Sequence, residues 1–80
     1  MSERITRENV ETRVENVNRR MESRGALVRY EAEARNGYIG LDRYDTEGHC
    51  LSNVTCGTKR EVADFLHAMM VALDDAQLYA

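Results

Sequence analysis

Gly57-Thr58-Lys59-Arg60-Glu61, continuing into Val62-Ala63-Asp64-Phe65-Leu66-His67-Ala68-Met69-Met70, decides the fold. Thr58 and Glu61 have the spacing of a capping box: the threonine hydroxyl takes the Glu61 amide proton and the Glu61 carboxylate reaches back to the Thr58 amide. Val62, Phe65, Leu66, Met69, Met70 and Leu73 then recur at helical spacing and form one apolar face. This predicts a helix over residues 58–77. A helix with so wide an apolar stripe needs a second layer to lie on.

That layer is legible upstream. Gly57 breaks a strand that covers Cys50 to Cys56. Asp45-Thr46-Glu47-Gly48 before it has the chemistry of a type I turn closed by a glycine bulge. Further back, Val28, Tyr30, Ala32 and Ala34 alternate with Arg29, Glu31, Glu33 and Arg35, which is strand periodicity. Asn36-Gly37 follows, the strongest short hairpin signal, because a type I′ turn needs positive φ at both central residues. A two-residue turn pairs Arg35 with Tyr38, Ala34 with Ile39, Ala32 with Leu41 and Tyr30 with Arg43. Val28, Tyr30, Ala32, Ala34, Ile39 and Leu41 then share the core face. On the third strand, where a bulge can shift parity, Val54 and Cys56 are expected to point inward and Leu51 to be half exposed.

Residues 6–23 read as a helix. Thr6 can cap it, with Ile5 and Val10 in the staple positions. Val10, Val14, Val17 and Met21 make a narrow stripe. Two uses compete for it: packing on the sheet of its own chain, or a seam between two copies. The expected architecture is therefore α+β, in the order α-β-β-β-α. It forms one domain over residues 1–80, with the three-stranded antiparallel meander over 27–56. The C-terminal helix covers one sheet face, joined there by the N-terminal helix.

The chain has 80 residues, 42% of them apolar, and a formal net charge of −3. Apolar content of this order argues for a packed fold, and no apolar run reaches the roughly 18 residues of a membrane span. Met1-Ser2-Glu3-Arg4 has no apolar h-region, which points to the cytosol. Mild acidity disfavours a phosphate-neutralising protein.

Catalytic and metal chemistry find little support. His49, Cys50, Cys56 and His67 carry zinc-ligand atoms, but structural sites use cysteines two to four apart on a turn. On a strand, His49 and Cys50 point to opposite faces. Cys50 and Cys56 stand roughly 20 Å apart if both lie on one strand, too far for a disulfide. No phosphate loop is present, since no glycine opens a helix in the required spacing. The reading is a non-enzyme with no cofactor and no metal. The outer sheet face is the better candidate: Arg29 pairs with Tyr44 and Arg35 with Tyr38, residue types enriched at interface hot spots.

Gly57-Thr58-Lys59-Arg60-Glu61-Val62-Ala63, at the end of an α-β-β-β-α order, resembles the double-stranded-RNA-binding domain. That resemblance implies phosphate contacts from Thr58, Lys59 and Arg60. Asn36-Gly37 stands where the family has a long loop, and Ala63 at its third basic position, so the likeness is one of topology. A second resemblance covers about Tyr30 to Leu73. Arg35-Asn36-Gly37-Tyr38, Leu41-Asp42-Arg43-Tyr44-Asp45 and the capped helix start are similar to small uncharacterised proteins of tailed bacteriophages of the actinobacterial-host type. It implies expression in the cytoplasm of a bacterial host and an accessory role, and brings no active-site residues. The expected function is protein–protein interaction with a phage or host partner through Arg29, Arg35, Tyr38 and Tyr44. A homodimer through Val10, Val14, Val17 and Met21 is expected alongside it, and nucleic-acid binding at Thr58, Lys59 and Arg60 is the alternative.

Overall fold

The computed structural model describes residues 4–79. Its elements are α1 (Arg7–Ser23), β1 (Val28–Arg35), β2 (Tyr38–Asp45), β3 (Cys50–Gly57) and α2 (Lys59–Tyr79). The strands form an antiparallel meander in the order β1-β2-β3, and both helices bury their stripes on the same face of it. The smallest extent of the molecule is 16 Å, the thickness of one sheet plus one layer of helices. The fold is thus α+β, α-β-β-β-α.

Local chemistry sets each boundary. Thr6 Oγ1 accepts the Asn9 amide proton at 3.2 Å, and Asn9 Oδ1 accepts that of Thr6 at 3.0 Å, so α1 starts in a reciprocal cap. Asn36 and Gly37 take φ of +47° and +86°, the left-handed pair that a tight hairpin requires. The β1–β2 register runs from Val28 opposite Asp45 to Arg35 opposite Tyr38. At the next turn the Gly48 amide donates to the Asp45 carbonyl, and the Asp45 amide to the His49 carbonyl.

The core consists of Val10, Val14 and Val17 from α1, Tyr30, Ile39 and Leu41 from the sheet, and Val62, Ala63 and Leu66 from α2. α1 packs on β1 and α2, and α2 packs on β2 and β3. Arg20 ties the helices together through Asp74 at 2.9 Å, and Arg24 donates to the Leu73 carbonyl.

Three expectations change. First, Val10 and Val17 are 0% exposed and Val14 is 7% exposed within one chain, with Met21 packed against the same cluster. The stripe serves the chain's own core and leaves no seam for a second copy. Wedged between β1 and α2, α1 has apolar neighbours on two sides, so even a narrow stripe is covered.

Second, Cys56 is exposed and pairs with Gly40 on the outward face. The pairing steps from Leu41–Thr55 to Asp42–Asn53, and from Arg43–Ser52 to Tyr44–Cys50, so Val54 and Leu51 are extra residues in the ladder. Each such bulge shifts side-chain parity. Val54 packs on the core, whereas Cys56 does not.

Third, Phe65 is 38% exposed and outside the core, which takes Val62, Ala63 and Leu66 from α2, with Met69 packed against it. Ala34, at the hairpin end of β1, is likewise exposed.

Leu66 is fully buried and Val71 is 45% exposed. Leu66→Ala is expected to cost about 2–5 kcal/mol in urea unfolding, while Val71→Ala stays within about 0.5 kcal/mol.

Candidate functional site on the open sheet face

The face away from the helices carries Arg29, Glu31, Glu33 and Arg35 from β1, and Tyr38, Gly40, Asp42 and Tyr44 from β2. Cys50, Asn53 and Cys56 of β3 stand opposite Tyr44, Asp42 and Gly40. Among the described residues no helix covers this face, yet Asp42 at its centre is only 3% exposed. Its cover is polar. The Arg35 guanidinium ion-pairs with one carboxylate oxygen, and Asn53 Nδ2 donates to the other at 3.0 Å.

Gly40 makes this possible. A Cβ there would lie 2.5 Å from Arg35 Nη1, so with any other residue the guanidinium would have to move from its place over Gly40. Arg35 also donates to Glu33 Oε2 at 3.1 Å. Hydrogen bonds to Glu33 and then Asp42 raise the Arg35 pKa further above its ordinary value.

The four residues singled out from sequence do share this face. Arg35 stands opposite Tyr38 and Arg29 opposite Tyr44, but the charged partners of both guanidiniums are carboxylates: Glu33 and Asp42 for Arg35, Glu31 at 3.4 Å for Arg29. Tyr38 is 54% exposed. Tyr44 is half-buried; burial pushes its phenol up, and Cys50, Asp42, Glu31 and Glu33 add to the shift. The phenol stands at the rim of an acidic patch.

Thr58, Lys59 and Arg60 lie elsewhere, where β3 passes into α2. The Thr58 amide donates to Glu61 Oε1 at 3.0 Å and the Glu61 amide to Thr58 Oγ1 at 3.2 Å. The helix N-terminus, the place an anion would take, already holds the chain's own carboxylate. These contacts with Thr58 keep the Glu61 carboxyl below its usual range.

The cysteines and histidines are not brought together. Cys50 and Cys56 face outward from the sheet, and His67 is exposed on α2. His49 sits at the β2–β3 turn with Asp45 and Glu47, where ligand-type atoms of all three lie within 4.8 Å of one another. The turn itself accounts for that grouping. Asp45 Oδ1 accepts the Glu47 and His49 amides, each at 2.9 Å, and Oδ2 lies 3.2 Å from His49 Nδ1. The His49 amide is the leading cause of a lowered Asp45 pKa.

Two residues important to the architecture have no periodic signature. Asn18 of α1 donates to the Tyr30 carbonyl at 2.8 Å and accepts the Tyr30 amide at 2.7 Å, standing beside β1 as a neighbouring strand would. Asn53 fastens β3 to Asp42. A signal existed for Arg35 instead: Gly40 and Asp42, on one face of a central strand, leave a gap beside a charge, and the guanidinium fills it.

The chain matches no family model, no curated protein and no solved structure.

Removing the Arg35 charge leaves Asp42 buried beside a gap, whereas removing that of Arg29 frees an exposed Glu31. Arg35→Met is expected to lower the urea midpoint clearly and Arg29→Met hardly at all.

Asp45 and Glu61 both titrate below their unfolded values. Their contribution is whole above the unfolded pKa values of about 4 and is lost as pH falls through the folded ones. Thermal midpoints measured from pH 6 to pH 2 should therefore drop in acid. The double change Asp45→Asn, Glu61→Gln should start lower at pH 6 and decline less.

Proposed function

We propose that the protein is a non-enzymatic accessory factor of a tailed phage, acting in the bacterial cytoplasm by protein–protein contact through the open sheet face. The observation that carries this reading is Asp42: a carboxylate buried on the uncovered face, held by Arg35 and Asn53, with Tyr38 and Tyr44 beyond it. A charge fixed by its neighbours makes the face rigid, so a partner meets a platform that is already ordered. Exposed tyrosines give a partner large contact area at small entropic cost.

The sign of the face narrows the partner. Glu31, Glu33 and Asp42 outnumber Arg29 and Arg35, and Tyr44 stands among the acids. That favours a protein segment with basic residues over a phosphate backbone. The nucleic-acid alternative at Thr58, Lys59 and Arg60 is weakened because Glu61 already caps that helix end. The two grooves beside α1 and β1, each of about 250 Å³, fall below the roughly 300–1,000 Å³ of small-molecule sites.

The test is capture from host lysate by immobilised wild type, by Tyr38→Ala with Tyr44→Ala, and by Lys59→Glu with Arg60→Glu. A protein held by wild type and by the lysine–arginine variant but lost by the tyrosine variant supports the reading. Equal capture by the tyrosine variant, with its melting curve unchanged, rejects it.

A further inference from the structure

The meander has two edges, and they are treated differently. The β1 edge is guarded: Asn18 closes the Tyr30 amide and carbonyl, and Arg29, Glu31, Glu33 and Arg35 line the strand. The β3 edge has neither device. Cys50-Leu51-Ser52-Asn53-Val54-Thr55-Cys56-Gly57 contains no charge and no proline, and among the described residues no helix packs outside it. Charges, prolines, covering segments and bulges are what keep an edge strand from pairing with another chain, and of these β3 has only its two bulges.

We propose that β3 is where two copies of this chain associate: their Cys50–Gly57 strands pair antiparallel, giving one six-stranded sheet with two α2 helices side by side above it. The proposal is independent of the outer-face reading.

A second copy is the occupant because the strand is self-complementary. The bulges at Leu51 and Val54 put Cys50, Asn53 and Cys56 on the outward face at equal spacing. A dyad through Asn53 therefore sets Cys50 of one copy against Cys56 of the other and returns outward residues onto outward residues. The chain carries a net charge of −3, and this uncharged strand lets two copies meet with no like charges directly opposed.

The helix layer fits the same axis. On α2, Asp74 faces α1 through Arg20, and Val62 and Leu66 face the core. The flank turned the other way, toward the β3 side, carries Phe65, Ala68, Ala72 and Ala76, all exposed, with Met69 half-buried. Five residues of strand from Asn53 to Thr58 span about 17 Å. A helix doubling back covers that distance in about 11 residues, which brings the dyad near Met69, between Phe65 and Ala72. Small side chains there let two helices approach closely, and Phe65 gains the cover it lacks in one chain.

The register is read by cross-linking with diamide, which takes up the two hydrogens released when two thiols join. Wild type should convert to a covalent species that stops at the dimer. Cys50→Ser alone and Cys56→Ser alone should give no more dimer than the oxidant-free control, while an equal mixture of the two should give it again. If each single variant cross-links to itself as readily as wild type, the register is wrong. Sedimentation velocity at micromolar concentration should show a dimer for wild type and a monomer for Leu51→Lys, whose side chain is exposed and so does not disturb the fold. A wild-type chain that sediments as a monomer overturns the proposal, whatever becomes of Tyr38 and Tyr44.

Discussion

Both helices of this chain bury their apolar stripes on one face of a three-stranded sheet, and the rest of the structure depends on that choice. A small domain cannot cover everything. With α1 and α2 together on the side of Tyr30, Ile39 and Leu41, the opposite face must stay folded and soluble by other means. The means is ionic. Arg35 reaches across Gly40, Asn53 reaches from the next strand, and Asp42 is enclosed between them. A carboxylate taken from water requires such partners, and the partners in turn fix where the neighbouring tyrosines stand.

The same shortage of chain acts at the edges. α1 supplies both the core stripe and Asn18, so one helix closes the sheet above and beside β1. α2 covers β2 and β3 from above, and among the described residues no helix packs outside the edge of β3. Guarding is therefore asymmetric: Phe65 and Leu51 lie exposed on the less guarded side, while Leu27 and Val71 are exposed elsewhere. Face and edge meet at β3, whose outward residues Cys50, Asn53 and Cys56 stand beside Tyr44, Asp42 and Gly40.

Much of this was legible in the sequence because it is local. Asn36-Gly37 fixes a two-residue turn, and a two-residue turn fixes the whole β1–β2 register, which the structure reproduces pair by pair. Thr58 and Glu61 fix the start of α2 for the same reason. What failed was not local. The parity of β3 depends on two bulges that no pattern of Cys50–Cys56 reveals, so alternation alone points Cys56 to the wrong face. Phe65 belongs to the helical stripe by spacing but lies at its edge, and only the position of α1 decides which edge is covered. On the open face the pattern brings out the right residues, but register alone pairs Arg35 with its neighbour Tyr38. Its charge is held by Glu33 and Asp42, and the clue was the missing side chain at Gly40.

The division into a covered and an open face is tested most directly by a soluble paramagnetic relaxation agent on the isotope-labelled protein, read alongside nuclear Overhauser contacts. The account predicts that Leu41 methyls show contacts to Val17 or Leu66 and are shielded, as is the Tyr30 ring, while the Tyr38 ring is strongly relaxed. A shielded Tyr38 ring in the monomer, or Leu41 methyls with no helix contact and full relaxation, would contradict it.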